Sequence, residues 1–202
     1  EGFLNWLAVV LGLADADTAG NAQGWDKESF DFDVVDTPEE VIAFVNAKNK
    51  AADDEAPIAG QSIISGARLL AGYAWPWTNR ASSYKWAVDP DTKERNEVGC
   101  VHTSQGLEFD WVGVFIGKDL RYDPEKKILY ADLKNYFDTG GKNGLGKTPA
   151  ERAKNLLPYV CRCYRVLLSR GVRGARVYCC DPNLAAYLKA ELAKAQNLKV
   201  SE

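Results

Sequence analysis

The chain has no methionine and one histidine among its 202 residues. That histidine, His102, lies far in sequence from Cys161 and Cys163 and from the adjacent Cys179 and Cys180. Neither cysteine spacing is a zinc pattern, so no metal ligand set is expected. Five cysteines are an odd number and do not make a disulfide framework. They read as buried, reduced thiols, which fits a cytoplasmic protein. A secretory leader is lacking too: the apolar run from Phe3 to Leu11 has no basic flank and no cleavage site. It is also far shorter than the ~20 residues that cross a bilayer, so no membrane partner is expected. A net charge of −3 excludes a global pull toward nucleic acid. No internal repeat is present. The missing methionine, and a first residue already inside an apolar helix pattern, give the expectation that this is an excised piece of a longer polypeptide.

What is present is enough for one core. Nearly half the residues are apolar (46%), and the length fits a single domain over residues 1–202. Phe3, Leu4, Leu7, Val10 and Leu11 fall at helical spacing. Phe30, Phe32, Val34 and Val35 predict a strand. Thr37-Pro38-Glu39-Glu40 is a helix start, and the helix carries Val41, Ile42, Phe44 and Val45 inward before stopping near Lys50. Ala67 to Tyr73, Val98 to Val101, Trp111 to Ile116 and Ala175 to Cys180 read as buried strands. A helix from Pro149 is expected to run to Leu157 and break at Pro158. A second then carries Val160, Tyr164, Val166, Leu167 and Leu168, and Pro182 to Lys194 reads as a final amphipathic helix. Strands alternating with helices, several apolar on both faces, predict an α/β fold: a mostly parallel sheet flanked by helices. Loop or hairpin insertions are expected at residues 74–96 and 123–148. Ligands of such folds sit at the carboxyl ends of strands, and the loop holding Gln105 and Glu108 follows the Val98–Val101 strand.

That loop, His102-Thr103-Ser104-Gln105-Gly106-Leu107-Glu108-Phe109-Asp110, is the most informative stretch. It puts a hydroxyl pair, an amide and a carboxylate between two buried strands, where an ordinary connection needs only turn residues. The second stretch is Tyr164-Arg165-Val166-Leu167-Leu168-Ser169-Arg170-Gly171. Its two arginines, five residues apart, end an apolar helix just before a buried strand. A guanidinium forks onto phosphate oxygens, but it also pairs with carboxylates or complements a helix C-terminus. Both readings stand on these residues alone.

Taken together, the two stretches resemble motifs V and VI of superfamily 1 helicases, in the right order. Ala67-Arg68-Leu69-Leu70-Ala71-Gly72-Tyr73-Ala74-Trp75-Pro76-Trp77 and Gly117-Lys118-Asp119-Leu120-Arg121-Tyr122 resemble more closely a bacterial family of helicase-like P-loop ATPases related to the ATPase domain of schlafen proteins. The resemblance runs from about Phe3 to Leu188. It implies the second, C-terminal RecA-like domain of an ATP-dependent DNA or RNA helicase or translocase. The implied partners are the N-terminal RecA-like domain of the same polypeptide and a nucleic acid, single-stranded DNA or RNA. The implied cofactors are ATP and Mg2+, bound mainly by that N-terminal domain. Gln105, Gly106 and Glu108 would line the nucleotide cleft, with Glu108 toward the ribose. Arg170 would be the arginine finger, with Arg165 the second candidate. His102, Thr103 and Ser104 would touch nucleic acid. One departure is Arg162, where the family has an asparagine.

Gly141-Lys142-Asn143-Gly144-Leu145-Gly146-Lys147-Thr148 satisfies the Walker A pattern. A working phosphate loop follows a buried strand, and Lys134 to Thr139 is a poor one. A self-contained NTPase using residues 141–148 is therefore the lesser alternative to the helicase half. The other alternative is a non-motor nucleic-acid-binding or interaction module of the same fold. From Lys147 to Arg176 the charges are nearly all positive, which makes a local basic face. The aromatics Tyr73, Trp75, Trp77, Tyr84 and Trp86 read either as base-stacking residues or as loop packing.

Overall fold

The computed structural model describes residues 2–15, 25–26, 28–53, 63–76 and 97–197. Their elements are α1 (Gly2–Val10), β1 (Asp31–Val35), α2 (Pro38–Asp53), β2 (Ile64–Ala71), β3 (Val98–Cys100), α3 (Val101–Ser104), β4 (Phe109–Ile116), β5 (Leu120–Asp123), β6 (Ile128–Ala131), α4 (Pro149–Leu168), β7 (Gly171–Cys179) and α5 (Pro182–Asn197). Five strands form one sheet in the order β1-β7-β4-β2-β3, and every pairing in it is parallel. Parallel neighbours require crossovers, which put helices on the faces and bury the strands on both sides. β4 is central, and its Val112, Val114 and Ile116 are fully buried. Alternation along the strands divides the core. Val34, Val114 and Val177 join α1, α4 and α5 on one face, while Trp111, Phe115 and Tyr178 meet α2 on the other. This is the expected α/β architecture, a parallel sheet flanked by helices, and it is consistent with a RecA-like domain.

The helices follow their local signals. Thr37 Oγ1 accepts from the Glu40 amide at 3.3 Å, and α2 then buries Val41 and Val45 against Ala67 and Leu69. α2 runs to Asp53 rather than stopping near Lys50. At α4, Thr148 Oγ1 accepts from the Glu151 amide while Glu151 Oε2 accepts from the Thr148 amide, a reciprocal cap. The expected break at Pro158 does not occur: α4 is one helix of 20 residues. A proline inside a helix costs about 3 kcal/mol. A single buried stripe, Leu156 before the proline and Val160, Cys161, Tyr164, Leu167 and Leu168 after it, keeps both halves on one axis.

Of the two expected insertions, the second begins at the end of β5 and contains β6, its antiparallel partner, and a 3-10 turn at Leu133–Asn135. Residues 77–96 of the first lie outside the described residues, and Trp77, Tyr84 and Trp86 with them. The cysteines are free thiols. Burial pushes Cys161 up to about 12 and Cys163 to about 11, so they stay protonated packing groups. Among the described residues, no helix is long and apolar enough to cross a membrane, and no group of His, Cys, Asp or Glu could hold a metal ion.

The carboxyl end of the sheet is held by one buried hydroxyl. Tyr164, fully buried on α4, donates to Asp119 Oδ1 at 2.6 Å and accepts from the Gly117 amide at 3.1 Å. Its ring lies so close to Gly72 that a β-carbon there would approach the phenol oxygen to 2.6 Å. β2, the turn after β4, and α4 therefore meet at one point. Burial raises the Asp119 carboxyl from 3.8 to about 6, with the Tyr164 hydrogen bond opposing it. The folded state thus holds this proton where the unfolded chain has lost it. The contribution is fully present below the unfolded value of 3.8 and is lost as pH rises through about 6. Wild type should lose roughly 2 kcal/mol against Asp119→Asn between about pH 4.5 and 7.5, read by urea unfolding. A wild-type stability relative to Asp119→Asn that stays constant or grows with rising pH would contradict this placement of Asp119.

Candidate functional site

Two of the expected site stretches converge at the amino ends of adjacent strands. β4 begins at Phe109 and β7 at Gly171, and these two residues are in register. The Phe109 amide donates to the Arg170 carbonyl at 2.9 Å, and the Ile64 amide donates to the Glu108 carbonyl at 2.8 Å. The backbone of Glu108 thus pairs with β2, and that of Arg170 with β4. Both residues sit at the same edge of the sheet.

This corrects the carboxyl-end expectation for the Gln105–Glu108 loop. β3 pairs with β2 only through Leu69, Leu70 and Ala71, near the carboxyl end of β2, whereas β4 starts opposite Ile64. The chain from Cys100 to Phe109 must therefore return along the height of the sheet. α3 and the turn after it do this, with the Leu107 amide closing on the Ser104 carbonyl at 3.1 Å. Gly106 turns the chain at φ +80°, where a side chain is strained. Gln105, Gly106 and Glu108 are all exposed.

Arg170 is half-buried. Its Nε donates to the Val166 carbonyl at 3.1 Å, one Nη to the Leu107 carbonyl at 3.2 Å and the other to Ser169 Oγ at 3.4 Å. All three acceptors are neutral oxygens, and no ion pair to Arg170 forms among the described residues. The guanidinium is held in direction without being neutralised. Arg170 pairs with no carboxylate among the described residues, but its bond to the Val166 carbonyl, in the last turn of α4, does complement the helix C-terminus. Arg165, one and a half turns earlier, is exposed on α4.

His102, Thr103 and Ser104 do not join this edge. His102 is exposed on α3 beside the carboxyl end of β3, its ring 5.4 Å from that of Tyr73. Thr103 Oγ1 accepts from the Cys100 amide and donates to the Cys100 carbonyl, both at 2.9 Å. Ser104 is buried, and its hydroxyl donates to the Cys100 carbonyl at 3.0 Å. Both hydroxyls close the helical turn on itself. The nine-residue stretch therefore spans the sheet, with His102 toward one edge and Glu108 at the other. Sequence reasoning gave no role to Asp110, which meets Arg173 at 3.2 Å, or to buried Asn49. The available signal was a polar side chain at an otherwise apolar position, in a strand for Asp110 and on a helix for Asn49.

The stretch with the Walker A pattern sits between the 3-10 turn and α4, with no strand leading into it. Glu151 Oε2 accepts from the amides of Lys147 and Thr148, both at 3.0 Å. A carboxylate thus occupies amides that a phosphate loop offers to phosphate oxygens. Those hydrogen bonds also hold the Glu151 carboxyl below its usual range.

A family model described as "Schlafen group 3, DNA/RNA helicase domain" matches residues 1–181. An uncharacterized protein of Saccharomyces cerevisiae, YPL245W, is 32% identical over 102 residues. The match spans 49% of this chain and 21% of the yeast protein. No solved structure matches the chain. Asp119 and Gly72, from the stretches of the bacterial-family resemblance, and Tyr164, from the motif VI stretch, form the buried node at one end of the sheet, and Glu108 and Arg170 stand at the other. With a match that runs through both, the chain belongs to the Schlafen group 3 DNA/RNA helicase domain family.

Proposed function

We propose that this chain is the C-terminal RecA-like half of a superfamily 1-type motor, and that it completes an ATPase site built between two domains. The observation that carries this reading is Arg170, a half-buried cation directed by neutral oxygens and set one residue before β7, with Glu108 one residue before the neighbouring β4. Charge on a transferring phosphoryl group is stabilised by a guanidinium whose orientation is fixed before the reaction and whose charge is not already paired. Arg170 has both properties. Glu108 and Gln105 sit one and four residues before Phe109, exposed on the same connection, and are the polar groups available to the nucleotide's ribose. Mg2+ and the phosphate-binding lysine come from the N-terminal domain, which supplies the metal's charge neutralisation.

The connection that ends in Glu108 begins beside His102 on the other side of the sheet. A change at the nucleotide edge would pass along this short segment toward His102, the candidate nucleic-acid contact. ATP turnover and strand movement would be coupled through it. The substrate is single-stranded DNA or RNA, and unwinding or translocation is the output.

In the full-length protein, Arg170→Ala should lower kcat by about a thousandfold or more while the KM for ATP changes little. Arg170→Lys should not restore the rate, because an ammonium lacks the fork. Unchanged turnover in Arg170→Ala sinks the assignment. The 202-residue chain alone should show no tight ATP binding in a nucleotide titration, and Lys147→Ala should leave that titration unaltered. Tight binding that depends on Lys147 would transfer the chemistry to residues 141–148 and overturn the two-domain reading.

A further inference from the structure

Asp110 stands where the ladder fails on both sides of β4 at once. On one side Ile64 pairs with Phe109 and Ala67 with Trp111, so two residues of β2 oppose Asp110. On the other, Gly171 pairs with Phe109 and Gly174 with Trp111, so two residues of β7 oppose it as well. Two bulges facing one residue splay the strands just beyond the rungs made by Glu108 and Arg170. Bulges bend a strand and re-aim the side chains next to them.

Two amides at the β2 bulge have side-chain partners. Asp110 Oδ2 accepts from the Gly66 amide at 3.1 Å, and its Oδ1 lies 3.2 Å from Arg173 Nε. The next amide, Ala67, donates to Asn49 Oδ1 at 2.7 Å. Gly66 lies at φ +85°, and a β-carbon there would come within 2.5 Å of that Asn49 oxygen. A β-carbon on Gly171 would meet the Gly174 carbonyl, and one on Gly174 the Asp31 carbonyl. The glycines of Arg170-Gly171-Val172-Arg173-Gly174 thus allow the bulge, and one carboxylate joins it to the bulge on β2. Arg173 is 56% exposed, so its pair with Asp110 adds little to stability. What the pair fixes is direction.

We infer that Asp110, with Arg173, is a positioning residue for Arg170: it holds the paired bulges that aim Arg170 out of the amino edge. This rests on the nucleotide-cleft reading of that edge. Asp110 does not touch the nucleotide; it acts through the backbone of β4 and β7.

A purely structural role and a positioning role separate in a double-mutant cycle on the full-length protein, with steady-state ATP turnover measured for Asp110→Ala, Arg170→Ala and the pair. A misplacement of about 1 Å can cost on the order of a hundredfold. Asp110→Ala should therefore lower kcat roughly ten- to a hundredfold, with the KM for ATP within about twofold. In the Arg170→Ala background the same change should cost less than about twofold, because the group being positioned is gone. An equal loss in both backgrounds overturns the positioning role and leaves the arginine assignment standing. No loss on Arg170→Ala alone removes the arginine assignment and the positioning role together. If Asp110→Ala fails to fold, Arg173→Gln enters the same cycle from the exposed side. Arg173→Lys should then recover part of the rate, and an Arg173→Gln loss that adds fully to that of Arg170→Ala overturns the inference.

Discussion

The geometry of the sheet's amino edge depends on two backbone hydrogen bonds at the start of β4. The Phe109 amide takes the Arg170 carbonyl, and the Ile64 amide takes the Glu108 carbonyl. Adjacent parallel strands lie about 4.8 Å apart, so these rungs fix the separation of the two chains bearing the carboxylate and the guanidinium. The side chain of Arg170 then reaches back to the Leu107 carbonyl, next to Glu108. Loop and helix end behave as one body. The backbone of neither residue can shift without breaking a rung that is also the first rung of the sheet.

The far end of the same frame is held by Tyr164. Its hydroxyl joins Asp119 and the Gly117 amide, and its ring closes over Gly72. Tyr164 and Arg170 are six residues apart, about 9 Å at the rise of a helix. α4 therefore links a buried polar node to an exposed-edge cation through a continuous packed stripe. A fully connected buried network of this kind specifies one arrangement of the helix against the sheet. The orientation of Arg170 is set from both ends: by the node behind it and by the β4 rungs beside it.

Much of the architecture was legible because it rests on local, periodic signals. Alternating strands and amphipathic helices gave the parallel α/β sheet, and Thr37-Pro38 and Thr148-Pro149 marked helix starts that the structure retains. Pro158 misled, since its local effect is real but is outweighed by a stripe whose partners are distant in sequence. The edge of the sheet that carries Glu108 was also not readable. Which end a connection reaches depends on the pairing of β3 with β2 and of β2 with β4, and neither pairing leaves a mark in the loop. Arg170 was visible as a cation beside a strand, but that its partners are all neutral oxygens is a tertiary fact. Asp110 was hidden for the same reason: its importance lies in the two bulges opposite it, contributed by residues 65–66 and 172–173.

The amino edge of β4 and β7 is proposed as one wall of the nucleotide cleft. A structure of the full-length protein with ADP and a fluoroaluminate analogue of the transferring phosphoryl group tests this directly. Arg170 should keep its Nε on the Val166 carbonyl and present an Nη group about 3 Å from the fluoride ligands, with Glu108 beside the ribose. Nucleotide bound elsewhere, with the Arg170 guanidinium remote from the fluoride ligands, would contradict it.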